Sequence, residues 1–258
     1  MSALIDTHTH LYDEAFSEDL KEVAARAKEA GVAACVLPAI DSSCHSRLLE
    51  CAGSMPGFLY PCVGLHPTSV GSDWESELNF VIEESSRRKY YAVGEIGMDG
   101  YWSREFMKEQ AHVFNKQLEL ASSMDLPVII HSRDSFEEIF EVLEKCRHLN
   151  LRGVFHAFSG SIETFRRISK YGNFKIGIGG VVTFKNAHVA KTVKEAGLEN
   201  IILETDSPWL TPAPFRGKRN EPAYVAIVAG KLAEIFEVSE EEIAATSTAN
   251  AVKLFNLH

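Results

Sequence analysis

At 258 residues the chain is longer than a typical small domain but has the length of one α/β barrel, so a single large core is expected. Hydrophobic residues at 45% and charged residues at 24% exclude a disordered chain, and no apolar run approaches the ~20 residues needed to cross a bilayer. The net charge of −10 would by itself argue against a nucleic-acid partner, because neutralising phosphates takes Lys and Arg at the contact surface.

Apolar, strand-like runs begin near Leu4, Ala33, Leu59, Tyr91, Val128, Gly153, Phe174 and Ile201. Amphipathic segments alternate with them at Asp19 to Ala30, Cys44 to Met55, Glu75 to Ser86, Glu105 to Met124, Phe136 to Cys146, Ile162 to Tyr171 and Ala187 to Ala196. Two more follow the last run, at Glu221 to Phe236 and Glu240 to Phe255. Ser135 with Glu138, and Ser239 with Glu242, have capping-box spacing, and Gly31 and Gly172 stand where helices close in a left-handed residue. Strands alternating with helices imply parallel pairing, and eight such units imply closure. The expected fold is therefore α/β, a (β/α)8 TIM barrel with an extra C-terminal helix, formed by residues 1–258 as one domain. With no basic-then-apolar leader, the chain reads as cytosolic. Its five cysteines, Cys35, Cys44, Cys51, Cys62 and Cys146, show no CxxC pairing and read as core or near-surface thiols.

Metal-ligand residue types stand at the downstream ends of these runs. His8 and His10 are two apart, so on a strand they share a face. Glu95, His131, His156 and Asp206 each end another run. One histidine in a strand is usually a satisfied core residue. Six ligand-type residues at one barrel mouth without a cation would be costly, because unpaired buried charge is strongly disfavoured. Six are also too many for one hydrolytic ion that keeps a position open for water, so two divalent ions are expected, with Glu95 as the bridge. Imidazole with carboxylate suits Zn, Mn, Fe, Ni or Co better than Mg. Asp6 and Glu204, each two residues before a ligand, are candidates to orient His8 and Asp206. His66 ends the third run and is read as a substrate contact. His45, His112, His148, His188 and His258 fall on helical or terminal segments and are expected at the surface.

The densest basic cluster, Arg216, Lys218 and Arg219, follows the eighth run, where barrels often hold phosphate. Gly177, Gly179 and Gly180 could let backbone approach a ligand, and Tyr101, Trp102, Phe158, Phe184, Trp209 and Phe215 in the upper loops could stack unpaired bases.

The stretches Ile5-Asp6-Thr7-His8-Thr9-His10-Leu11, Gly64-Leu65-His66-Pro67, Gly94-Glu95-Ile96-Gly97-Met98-Asp99, His131-Ser132-Arg133, His156-Ala157-Phe158-Ser159-Gly160, Leu203-Glu204-Thr205-Asp206-Ser207-Pro208 and Arg216-Gly217-Lys218-Arg219-Asn220-Glu221-Pro222 together resemble the TatD family of metal-dependent deoxyribonucleases. The resemblance implies that His8, His10, Glu95 and Asp206 hold one ion and Glu95, His131 and His156 the other. It also implies phosphodiester cleavage, exonucleolytic on single-stranded DNA, with Mg as the usual ion. Asp206 is then the candidate general base, and Arg133 a further phosphate contact. Related amidohydrolase-like barrels can bridge two metals with a carboxylated lysine at the end of the fourth strand, where this chain has Glu95. Two other readings compete. One is an amidohydrolase cutting a C–N or ester bond of a small molecule. The other is a metal-binding interaction module without catalysis.

Overall fold

The eight apolar runs become eight short parallel strands in the computed structural model, which describes residues 3–185 and 188–257. They are β1 (Leu4–Asp6), β2 (Val32–Leu37), β3 (Leu59–Pro61), β4 (Val93–Asp99), β5 (Val128–Arg133), β6 (Arg152–Phe155), β7 (Asn173–Ile178) and β8 (Ile201–Leu203). Strands β1 to β3 pair in sequence order, and so do β4 to β8. Parallel bridges Val63↔Val93 and Thr9↔Ser207 join the two sheets at both seams, so the ring closes as a (β/α)8 barrel.

Helices α1 (Leu20–Glu29), α2 (Ser42–Ser54), α3 (Trp74–Ser85), α4 (Met107–Ser123), α5 (Phe136–Lys145), α6 (Ile162–Ile168), α7 (Val189–Ala196), α8 (Val225–Phe236) and α9 (Glu240–Phe255) account for all nine expected amphipathic segments. The expected start of the seventh at Ala187 lies outside the described residues. Inside the barrel, Ile5, Val36, Tyr60, Cys62, Ile129, Val154 and Ile202 meet Ala251, Leu254 and Phe255 of α9. The helix beyond the eight thus plugs the floor of the barrel, leaving the opposite end, downstream of the strands, as the open mouth. No helix among the described residues is long and apolar enough to cross a membrane.

Local expectations held where the chain itself supplies the partner. Ser239 caps α9 by accepting from the Glu242 amide, and Gly31 closes α1 at φ 88°. Ser135 precedes α5 but does not cap it, because its hydroxyl donates to the Met98 carbonyl instead. Gly172 has no left-handed φ; a Cβ there would fall 2.3 Å from the Leu151 carbonyl oxygen, so close backbone approach explains it. All five cysteines are free and buried. His112, His148 and His188 are exposed as expected, and His258 lies outside the described residues. His45 is a correction. It is buried on α2, with Nε2 2.9 Å from the Tyr90 hydroxyl, which in turn donates to Glu84. Position on a helix says nothing of which face a residue takes once two helices pack over it.

Candidate metal centre

Glu95 reaches the mouth through a register shift in β4. Val93 pairs with Val128 but Ile96 pairs with Ile130, so three residues oppose two. Such a bulge changes the parity of a strand. Ala92 faces the barrel core and Val93 the surrounding helical layer. Strict alternation would send Glu95 outward with Val93, whereas the bulge turns it inward, 3% exposed. The strand then continues to Asp99, past the end expected at Glu95, and β5 likewise runs on beyond His131. His8 and His10 follow β1, His156 follows β6, and Asp206 lies three residues past β8.

The two oxygens of Glu95 face different groups. Oε2 is 3.1 Å from His8 Nε2 and 3.9 Å from His10 Nε2, and Asp206 Oδ1 is 3.6 Å from both nitrogens. Oε1 is 2.7 Å from His156 Nε2, 2.9 Å from His131 Nδ1 and 3.2 Å from His66 Nε2. The structure thus brings all six expected ligands together, with one carboxylate between two nests of donor atoms.

Neighbouring hydrogen bonds set which nitrogen of each ring carries the proton. The Tyr12 hydroxyl donates to the Pro38 carbonyl at 2.6 Å, so it accepts from His10 Nδ1 at 2.9 Å and leaves a lone pair on Nε2. Asp99 Oδ2 lies 2.8 Å from His131 Nε2 and keeps a proton there, so Nδ1 is the nitrogen left to serve a cation at Glu95's nest. His66 differs. Its Nδ1 accepts from the Thr68 amide, so its Nε2 is a donor at the mouth rather than an electron pair for an ion.

The His8 and His156 rings stack at 3.9 Å and 13°. Their Nδ1 atoms and Glu204 Oε2 are buried without a hydrogen-bond partner among the described residues, and one ligand atom from each of the three residues lies within 4.8 Å of the others. An imidazole that gives Nε2 to a cation keeps its proton on Nδ1. Cations held at Glu95 would therefore set two N–H donors beside an unpaired carboxylate oxygen. On this test the donor set fits divalent ions.

Of the two deeper acids, Glu204 departs from expectation, while Asp6 does contact His8, through its backbone. Glu204 does not hold Asp206; its Oε1 accepts from the Ala157 amide at 2.5 Å and lies 3.8 Å from His156 Nδ1. Asp6 accepts from the backbone amide of His8 at 3.3 Å and from the Thr205 amide and hydroxyl at 2.9 and 2.5 Å, so it ties the ends of β1 and β8 together. The period-two argument failed for Glu204 because Glu204 and Asp206 lie beyond β8, with Asp206 at φ 57°.

Burial works against charge on Glu95, yet His156, His66 and His8, with the hydrogen bond from His131, hold its carboxyl well below the usual range. Asp206 is likewise lowered against burial, by the neighbouring rings of His10, His8 and His156. Burial would lower His156, but Glu95 pushes it up to about 10. His131 is raised against burial by Asp99 and Glu95. Burial and the charge on His156 push His8 down to about 4, while burial, helped by neighbouring carboxylates, takes Glu204 to about 7 and Asp6 to about 8. Among these residues, the proton held on His156 offsets part of the charge of the ionised Glu95 and Asp206.

The model of TatD related DNases matches residues 5–256. The chain belongs to the TatD family. TatD relatives include the "uncharacterized metal-dependent hydrolase" YabD of Bacillus subtilis, 41% identical over 99% of this chain and 100% of the relative. Another is YjjV of Escherichia coli, 34% identical over 98% of each chain. The crystal structure of that TatD homologue superposes at TM-score 0.88, covering 99% of this chain and 98% of its own. An uncharacterized amidohydrolase from Saccharomyces cerevisiae shares the fold at TM-score 0.84 and 18% identity, covering 99% of this chain and 100% of that one.

The expected substrate contacts are dispersed. Arg133 is exposed at the end of β5, its guanidinium 3.6 Å from the Tyr101 ring centre. Arg216 lies over Phe184 at 4.2 Å, and Lys218 is near Phe215 at 5.7 Å. Arg219 is already engaged within the chain. It grips Asp19 with both terminal nitrogens, at 2.8 and 2.6 Å, and donates to the Ala15 carbonyl. Together with the Arg26–Glu221 pair at 2.6 Å, it straps the segment after β8 onto α1. Gly177 and Gly180 also serve packing. A Cβ at Gly177 would meet Glu204 Oε2 at 2.0 Å, and one at Gly180 would meet the Leu210 carbonyl at 2.2 Å. Of the six aromatics, Tyr101, Trp102 and Trp209 are exposed, Phe184 and Phe215 are half-buried, and Phe158 is buried.

Sequence reasoning missed Asp99, Tyr12 and Asn220. Asn220 Nδ2 donates to the Thr205 and Trp209 carbonyls and so shapes the turn that presents Asp206. Tyr12 sits two residues past His10, and Asp99 closes the same motif as Glu95, so proximity to a ligand was the available signal.

Proposed function

We propose that this TatD-family metal-dependent hydrolase cleaves phosphodiester bonds by a two-ion mechanism, trimming single-stranded DNA from an end. One observation carries the reading: the two oxygens of Glu95 face two separate sets of ligand atoms at an open barrel mouth. His8, His10, Glu95 and Asp206 would hold one cation, and Glu95, His131 and His156 the other. Divalent cations held there supply Lewis acidity and lower the pKa of water in the mouth.

The remaining steps belong to the chain. Asp206 is kept ionised and is the most accessible of the site's carboxylates, at 15% side-chain exposure, so it can take the proton of an attacking water. His66 Nε2–H is a donor for a non-bridging phosphate oxygen. Arg133, Arg216 and Lys218 offer positive charge to neighbouring phosphates despite the net charge of −10. The family's description as TatD related DNases supports DNA as the polymer. The mouth's floor is sealed by α9, so a chain must enter by its end, and unpairing a duplex adds a cost before its end can enter.

An end-labelled oligonucleotide with manganese or magnesium tests this. The single strand should shorten from one end, faster than its blunt duplex. Bis-p-nitrophenyl phosphate should turn over where cyclic amides and lactones do not. Equal rates on the two DNA forms, or turnover confined to the amides and lactones, would overturn the reading.

A further inference from the structure

We propose that Tyr101, Trp102 and Arg133 form a subsite for an unpaired nucleobase, and that Asp99 couples its filling to loading of the His131 side of the metal centre. The inference rests on the nucleic-acid reading above.

Asp99 ends β4 and pairs in register with Arg133 of β5, at 2% exposure. One oxygen faces His131 Nε2 at 2.8 Å. The other accepts the amides of Tyr101 at 2.9 Å and Trp102 at 3.2 Å. A single buried carboxylate therefore aims a metal ligand on one side and suspends an aromatic loop on the other.

That loop carries the largest exposed rings at the mouth. Tyr101 is 53% exposed and Trp102 71%, with ring centres 5.1 Å apart and planes at 85°. The Arg133 guanidinium lies 3.6 Å from the Tyr101 ring centre and 5.3 Å from that of Trp102, and it makes no ion pair among the described residues. An exposed, cationic, π-rich surface beside a phosphate-cleaving centre matches one ligand chemistry: a planar aromatic base tethered to an anion. A base in a duplex has both faces covered by its neighbours, while an unpaired base has a face free to stack.

The coupling follows from the shared carboxylate. A cation drawing on His131 Nδ1 polarises the ring and strengthens the Nε2–H bond to Asp99. A base pressed on Trp102 steadies the amides bound to the same group. Both ligands favour one arrangement of Asp99, and such linkage is reciprocal.

The chain has three tryptophans, so W74F/W209F leaves Trp102 as the only one, excited selectively at the red edge where tyrosine does not absorb. Its emission is followed with zinc, with a phosphorothioate tetramer of deoxyadenosine, and with an abasic tetramer of the same backbone. The base-bearing tetramer should quench Trp102 and bind roughly 5- to 100-fold more tightly than the abasic one. It should also raise zinc affinity several-fold, and D99N should abolish that rise while weakening zinc on the His131 side by about 10- to 100-fold. Equal binding of the two tetramers, or unmoved Trp102 emission, overturns the subsite while leaving the nucleic-acid reading intact. Binding of neither overturns both, and an unchanged zinc response in D99N removes Asp99 as the link. Should the double variant not fold, W102F in the otherwise unchanged chain reports the same signal by difference.

Discussion

A carboxylate set between two cations contributes charge as well as geometry, and an amide keeps only the shape. Glu95→Gln should therefore lower metal content, read by elemental analysis of the purified protein, and bring turnover of bis-p-nitrophenyl phosphate to background. Full occupancy with a near-normal rate would show that Glu95 does not bridge. Arg219 illustrates the opposite outcome for a charged residue. Its guanidinium is spent on Asp19, so Arg219→Ala should cost about 1 kcal/mol of stability, lowering Tm by about 2–4 °C. It should leave the salt dependence of single-strand binding unchanged. Arg216 and Lys218 make ring contacts but no ion pair among the described residues. Replacing both by Ala should flatten the slope of log affinity against log salt by up to about 1.4. A flattened slope in the Arg219 variant instead would return that residue to the phosphate surface.

At the scale of the element, β4 carries most of the site's geometry. Its bulge turns Glu95 inward, and Gly97, two residues on, allows β4 and β5 to approach. Gly97 has φ 129°, and a Cβ there would lie 2.1 Å from the His131 carbonyl oxygen. Gly97→Ala should cost at least about 2 kcal/mol through backbone strain and forced separation of the strands. Because His131 moves with β5, metal retention should fall as well. Denaturant unfolding and metal analysis on the same preparation check both, and a fully stable, fully loaded variant would show that β5 yields without disturbing the centre. The element also shows where periodicity misleads. The strand reads as ending at Glu95, and nothing in its apolar pattern announces the bulge, because Gly94 has no side chain to mark a face.

Across the whole molecule, the centre's charge balance makes metal loading a proton exchange. With His156 raised to about 10, its ring holds a proton at neutral pH at the nitrogen that faces Glu95, and Asp99 and Glu95 shift His131 in the same direction. A cation must displace the His156 proton, so its affinity should rise with pH up to about pH 10, where that ring loses the proton unaided. Loading should also release protons into a weakly buffered solution, measurable with an indicator dye. Binding without proton release would mean that the ions take other ligands.

The sequence by itself determined the barrel, the position of nearly every strand and helix, and the six residues that meet at its mouth. Those follow from local quantities: the alternation of apolar runs with amphipathic segments, the HxH spacing, and ligand-type residues placed at or just beyond strand ends. Only the tertiary structure decided how the site's parts are used. It turned Glu95 inward through a bulge, set Glu204 beside His156 rather than Asp206, buried His45 between helices, and spent Arg219 on Asp19, which is 200 residues away in the chain. It also supplied the Asp99 and Tyr12 partners that orient His131 and His10. Each of these depends on which groups from distant segments come within hydrogen-bonding range, and that distance is set by barrel closure rather than by spacing along the chain.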